Sequence, residues 1–199
     1  MDAAAAPFFS VGRCAALRAA RRFRLRFPTS RIARLSAAFP EPEDPALLAM
    51  ARRARRRGYL TKPELVRLAR WKTPRSAPLI ARNRDAAVRA ITRRALSARD
   101  ERARIEELTR LSGVGFPTAS VVLHFCHRDP YPILDVRALW ALSVERGARG
   151  GFALWREYTD VCRRLASRAG CTMRDLDRAL WQYAKENAPA GKPPGDATS

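Results

Sequence analysis

The stretch Ile105-Glu-Glu-Leu-Thr-Arg-Leu-Ser-Gly-Val-Gly-Phe-Pro-Thr-Ala-Ser-Val-Val-Leu123 decides the reading of the fold. Leu108 and Leu111 close one helix on an apolar face. Gly113 and Gly115 bracket Val114, which can turn inward as a plug. Pro117 suits the first turn of a second helix, where its missing N–H costs nothing. Ala119, Val122 and Leu123 carry the apolar stripe onward, so the segment reads as a helix-hairpin-helix. The glycines permit positive φ in a tight turn. They also let backbone N–H groups approach an anion with no Cβ in the way, and the next helix N-terminus completes a phosphate seat. Gly-Val-Gly alone fits an ordinary helix corner with a glycine stop. The longer pattern, from Leu108 to Thr118-Ala119, favours DNA binding.

Outward from the hairpin the pattern stays helical and no period-2 strand is evident. Helices are predicted near 44–57, 62–71, 78–96, 100–111, 117–127, 135–146, 151–168 and 172–187. Phe152, Trp155, Tyr158, Cys162 and Leu165 share one face of the seventh. Thr172 reads as the N-cap of the last, whose stripe is Met173, Leu176, Leu180 and Tyr183. The fold class is all-α, a compact multi-helix domain over 41–187. Residues 1–40, rich in Ala and Arg with Asp2 as the lone acid, read as a basic extension, possible disorder included; a basic arm is preferred over a transit peptide. Pro40-Glu-Pro-Glu-Asp-Pro45 marks the boundary. The Pro/Gly-rich tail 188–199 reads as disordered.

Charge points to the partner. The chain of 199 residues carries a formal net charge of +20. Residues 1–99 hold 24 Lys and Arg against 6 acids; residues 100–187 hold 14 against 12. Such asymmetry suggests a polyanion, here double-stranded DNA, with the protein a cytoplasmic, nucleoid-associated monomer. A membrane partner is not expected: the cations are not confined to one amphipathic helix, and no apolar run is long enough to span. Arg52, Arg53, Arg55, Arg56 and Arg57 form a basic run suited to phosphate or to a solvated helix face. The cysteines Cys14, Cys126, Cys162 and Cys171 contain no C-x-x-C pair, and His124 with His127 lacks convergent ligands, so no metal site is predicted.

The segment resembles the helix-hairpin-helix DNA glycosylases, the HhH-GPD superfamily, whose signature is L-P-G-V-G-x-x-T-A-x-x-V-L followed by an aspartate at the next helix. The matching residues are Leu111-Ser-Gly-Val-Gly115, Thr118-Ala119, Val122-Leu123 and Asp135 in Pro132-Ile-Leu-Asp-Val-Arg137. The resemblance is clear over 100–140, weaker over 60–99 and 150–187, and absent from 1–40. It implies that Gly113, Val114, Gly115 and Thr118 bind the DNA backbone, with a monovalent cation as an option at the hairpin. It implies that Asp135 is the catalytic carboxylate for hydrolysis of a damaged or mismatched base's N-glycosidic bond, stabilising the oxocarbenium-like sugar. By itself, an acid there also reads as a helix N-cap.

In the family's lyase-competent members a Lys stands before Thr-Ala; here that position is Pro117, so the resemblance implies a monofunctional glycosylase without lyase activity. The cysteine spacing departs from that of the iron–sulfur members, so no cluster and no other cofactor is expected. The family's D-T-H becomes Asp135-Val-Arg137, and the Gln-bearing wedge has no counterpart. Candidate pocket or DNA contacts are Tyr59, Trp71, Lys72, Arg75 and Arg137, with Trp140 read mainly as core. Glu106, Glu107, Asp175, Asp177 and Arg178 read as surface or capping groups. The alternatives are a catalytically inactive hairpin DNA-binding protein and a helical interaction protein whose charge reflects genome composition.

Overall fold

The computed structural model describes residues 23–144 and 151–189, and among them every regular element is helical. In chain order these are α1 (Ile32–Ala37), α2 (Pro45–Arg57), α3 (Lys62–Lys72), α4 (Ala77–Ala81), α5 (Asp85–Ser97), α6 (Glu101–Thr109), α7 (Phe116–Cys126), α8 (Val136–Ala141), α9 (Gly151–Ala169) and α10 (Met173–Asn187).

Local chemistry sets most of the boundaries. Asp44 caps α2 by accepting from Leu47 N at 2.9 Å, and Gly58 ends it at φ 81°. Asp100 caps α6 through Ala103 N at 2.7 Å. Thr172 and Asp175 form a reciprocal capping box on α10. The hairpin's second helix, α7, sits at the centre. It buries Thr118 through Leu123, Phe125 and Cys126, so little of it faces water. Helices α2, α3 and α6 pack around it. Trp155, Tyr158 and Cys162 of α9 are buried as the sequence pattern predicts.

The helix expected at 78–96 is two helices. Arg82 N bonds to Leu79 O at 3.2 Å and Asn83 N to Ile80 O at 3.1 Å, closing a tight turn. Arg84 is then extended, and α5 starts at Asp85. The helix expected over 135–146 stops at Ala141. Ser143 takes φ 61°, its N–H reaches Trp140 O at 2.9 Å, and Val144 N reaches Leu139 O at 3.0 Å. That is a Schellman stop with serine where glycine is usual, so no glycine marked it. The remainder of that segment, 145–146, lies outside the described residues.

A larger correction concerns residues 1–40, read as an extension outside the domain. Residues 23–39 belong to the helical body. Phe23, Phe27, Ile32 and Leu35 are buried. Arg24 N and Arg26 N donate to Leu142 O and Ala141 O at 2.9 and 3.0 Å, and α1 packs along α10. The abundant arginines had masked this alternation of apolar anchors, which buries enough surface to order the segment. Residues 1–22 and 190–199 lie outside the described residues.

Candidate functional site

The hairpin turn is held by α4 and the turn after it. Gly113 has φ 78°, and a Cβ there would meet Leu79 Cβ at 2.8 Å and Ile80 N and Cγ1 at 3.0 Å. Glycine is therefore required twice, by backbone conformation and by space. Val114 is the buried plug, at 5% exposure, and its N–H closes onto Leu111 O at 3.0 Å. Gly115 is exposed and negative in φ, and a methyl group there would meet Pro117 Cδ alone, at 3.7 Å. Thr118 is buried at 5%. The Thr118 and Val114 side chains are thus both buried, and what this turn offers a ligand is backbone. The amides of Gly115, Phe116 and Thr118 precede the first α7 bond, Ala119 N to Gly115 O at 2.9 Å.

Asn83 latches this turn to the α4–α5 corner. Ser112 N donates to Asn83 Oδ1 and Asn83 Nδ2 donates to Ser112 O, both at 3.0 Å. Arg82 and Arg84, both exposed, flank Asn83. An unbroken helix over 78–96 would not place these two cations at a corner; the break at Arg82–Arg84 does.

Asp135 reaches its position along a different path. Residues 130–135 run without regular structure beside α7. The Nδ1–H of His124 donates to Tyr131 O at 2.7 Å, Leu134 N donates to Ser120 Oγ at 2.8 Å, and Tyr158 OH donates to Ile133 O at 2.8 Å. Ser120 Oγ also donates to Pro117 O at 2.7 Å, which ties the first turn of α7 to the approach to Asp135. Burial holds the His124 imidazole down at about 4, so it is a neutral structural donor. Burial likewise pushes the Cys126 thiol up to about 12, an inert core sulfur. Among the described residues no group of three or more His, Cys, Asp or Glu could hold a metal ion.

Asp135 is the N-cap of α8, accepting from Arg137 N at 2.8 Å. Its other oxygen accepts from Lys72 Nζ, and the two side chains are 20% and 15% exposed. Burial pushes this carboxyl up, but Lys72 and the Arg137 N–H outweigh it, so Asp135 lies below its ordinary range and is ionised. The pair opens on a pocket of about 280 Å³ lined by Trp71, Lys72, Asp135, Arg137, Arg174, Asp177 and Trp181, together with Phe39, Glu41 and Ile133. That volume is close to the lower end of small-ligand pockets, roughly 300 Å³.

The walls are aromatic and cationic. Arg174 lies over Trp71 at 5.3 Å and over Phe39 at 5.6 Å; Arg137 lies over Trp181 at 4.4 Å. Asp177, read as a surface or capping group, is 9% exposed and accepts from Arg174 at 2.8 Å. Burial pushes its carboxyl up to about 6, partly offset by Arg174 and Lys72, with Asp135 raising it further. Its phase was legible: 177 falls on the same face as Met173 and Leu180.

The pocket thus gathers Asp135, Lys72, Trp71 and Arg137 from the sequence candidates, and adds Asp177, Arg174, Trp181 and Phe39. It does not gather the hairpin residues Gly113 to Thr118, nor Arg75, which is exposed on the 3-10 turn Pro74–Ser76. Tyr59 also lies elsewhere, its ring faced by Arg57 at 4.5 Å and Arg93 at 4.6 Å. Trp140 is half-buried, stacked on Tyr183 at 6.0 Å beneath Arg26 at 4.5 Å. No helix among the described residues is long and apolar enough to cross a membrane. No protein-family model, curated protein or solved structure matches this chain.

Proposed function

We propose that this protein is a DNA-binding base-excision enzyme that cleaves the N-glycosidic bond of a damaged or mismatched base. The observation that carries the reading is an ionised, half-buried Asp135 opening on an aromatic and cationic pocket. Ser120 ties it to a glycine hairpin whose turn offers backbone amides.

The roles follow from the chemistry. The amides of Gly115, Phe116 and Thr118 take a backbone phosphate, with Arg82 and Arg84 adding charge. An extruded base stacks against Trp71 or Trp181. As the bond to the base breaks, positive charge grows at C1′, and the carboxylate of Asp135 stabilises it. Lys72 must yield part of its contact with Asp135 for this to happen, so substrate entry and opening of the ion pair are coupled. The net +18 of residues 1–99 supplies the long-range attraction to DNA.

A second reading has its own support. Asp135 is fully employed as an N-cap and an ion-pair partner, which is what a catalytically inactive DNA-binding scaffold would retain. Single-turnover release of bases from a panel of lesion-containing duplexes separates the two. Release by the wild type that is lost in Asp135→Asn supports the enzyme. Tight binding with no release from any duplex supports the scaffold.

A further inference from the structure

The basic run from Arg52 to Arg57 is sorted by the fold. Leu47, Met50, Ala51 and Ala54 fill the buried side of α2. Arg56 and Arg57 stand three and four residues after Arg53, so these three share one exposed side. Arg57 lies over the ring of Tyr59 at 4.5 Å, and its guanidinium donates to Tyr59 O at 3.0 Å. Arg93 and Arg89 of α5 reach the same half-buried ring, at 4.6 and 5.8 Å. Two carboxylates answer this gathering of charge: Glu64 pairs with Arg57, and Asp85 with Arg89. Arg53, Arg56 and Arg93 have no acidic partner among the described residues, and α2 carries no acid at all. Guanidinium groups crowded this way repel one another, and the ring and two carboxylates offset only part of that.

The place of this cluster in the fold says what anion would complete it. Lys62 N donates to Asp85 Oδ1 at 2.8 Å, so the cluster sits at the N-terminal end of α3, whereas Lys72 lines the pocket from the other end. Eleven residues of helix put about 15 Å between them. Toward the hairpin, exposed Arg84 stands between Asn83, which latches the turn, and the start of α5. Asp85, Arg89 and Arg93 then follow one stripe of α5 in steps of about 6 Å. The cations therefore run in a line, from the hairpin corner along α5 to Tyr59 and α2, and do not close around a point.

We propose that the exposed face built by α5, Tyr59 and α2 is a second DNA-backbone surface, which holds the flank of the same duplex that meets the hairpin. This rests on the DNA-binding half of the reading above and not on base excision. A linear polyanion matches a line of cations; a compact anion would engage one end of it. The stripe from Asp85 to Arg93 covers about 12 Å, the span of three to four phosphates of one strand at about 3.4 Å of duplex axis each. Arginine suits the task because its planar fork takes two phosphate oxygens at once. The contact reads no sequence and adds affinity that falls steeply with salt.

The test follows binding of the full chain to an undamaged duplex of roughly 24 base pairs by anisotropy, between about 50 and 200 mM salt. Arg53→Gln, Arg56→Gln and Arg93→Gln are combined, since these exposed side chains hold no ion pair that folding needs. The triple variant should lower the slope of log K against log salt by about 3, so that its deficit at 50 mM shrinks by about 40-fold at 200 mM. Removing three exposed arginines elsewhere, Arg128, Arg164 and Arg168, should change the slope by less than about 1. Stoichiometric titration should give one duplex per chain. An unchanged slope in the first variant overturns the proposal and leaves the hairpin and base-excision readings intact. An equal fall in the control variant overturns it too, because the effect is then net charge alone. Two duplexes per chain make the face a separate docking site, and an equal loss of polyglutamate binding assigns it to an acidic protein; either result overturns the shared-duplex assignment. Failure of the wild type to bind any duplex overturns both this inference and the function proposed above.

Discussion

Gly113 leaves no room for a methyl group against Leu79 and Ile80, whereas the neighbourhood of Asp135 keeps about 280 Å³ open. The hairpin is backbone held by packing and by two hydrogen bonds with Asn83, one donated and one accepted by its side chain. The pocket is assembled from charged side chains on α3, α8 and α10, where burial raises the Asp135 and Asp177 carboxyls and the neighbouring cations lower them; burial wins at Asp177 and the cations win at Asp135. The contrast is one of construction: close packing fixes the turn, and compensated charge holds polar groups around an open pocket. Ser120 spans the two, hydrogen-bonded to Pro117 O on one side and to Leu134 N on the other.

The most direct challenge to this contrast alters the pocket alone. Asp135→Asn keeps a capping side chain on α8. Base release in single-turnover assays should fall by about 10²–10⁴-fold with DNA affinity little changed. If affinity falls as much as release, the pocket and the hairpin are not separable.

Glycine substitutions divide the hairpin itself. Gly113→Ala meets both a positive φ and a collision with Leu79, and should lose about 2–4 kcal/mol in chemical denaturation. Gly115→Ala, where the space is open, should leave stability within about 1 kcal/mol and weaken DNA binding instead, if that backbone faces a phosphate. Equal destabilisation by both would erase the distinction drawn between them.

The pH dependence probes the segment that connects them. The folded value of His124, about 4, lies below its ordinary 6.5, so the unfolded chain binds more protons in that window. Its contribution is full above pH 6.5 and is lost as pH falls toward 4. Asp177 runs the other way: raised to about 6, it favours folding below its ordinary carboxylate value and loses that contribution as pH rises through 6. His124→Gln keeps a donor for Tyr131 O. It should reduce the stability lost between pH 6.5 and 4.5 by on the order of 2 kcal/mol, measured by denaturant titration at the two pH values.

The mildest consequence lies at the corner beside the hairpin. Replacing Arg82 and Arg84 together with alanine should lower the salt slope of DNA binding by about 2 and leave lesion preference unchanged. An unchanged slope would remove these two arginines from the interface.

Much of this was legible in one dimension. The 3.6-residue stripes of α9 and α10, the cap at Thr172 and the two-glycine hairpin depend on near neighbours, and near neighbours are what a sequence displays. The Asp135 N-cap was readable for the same reason. Ser143 escaped notice because a non-glycine residue occupies the left-handed position, and Phe23, Phe27, Ile32 and Leu35 because a basic setting hid their spacing.

The pocket could not be read this way. Lys72 and Asp135 are 63 residues apart, and Arg174 and Asp177 come from α10. Which charges neutralise one another depends on distances through space, since Coulomb attraction and desolvation are blind to chain order. Residue order alone was enough for an all-helical chain with a hairpin turn and a basic half. That a lysine meets Asp135, and that Asp177 is buried beside them, was settled by helix packing, because side chains distant along the chain share one low-dielectric space only after the helices come together.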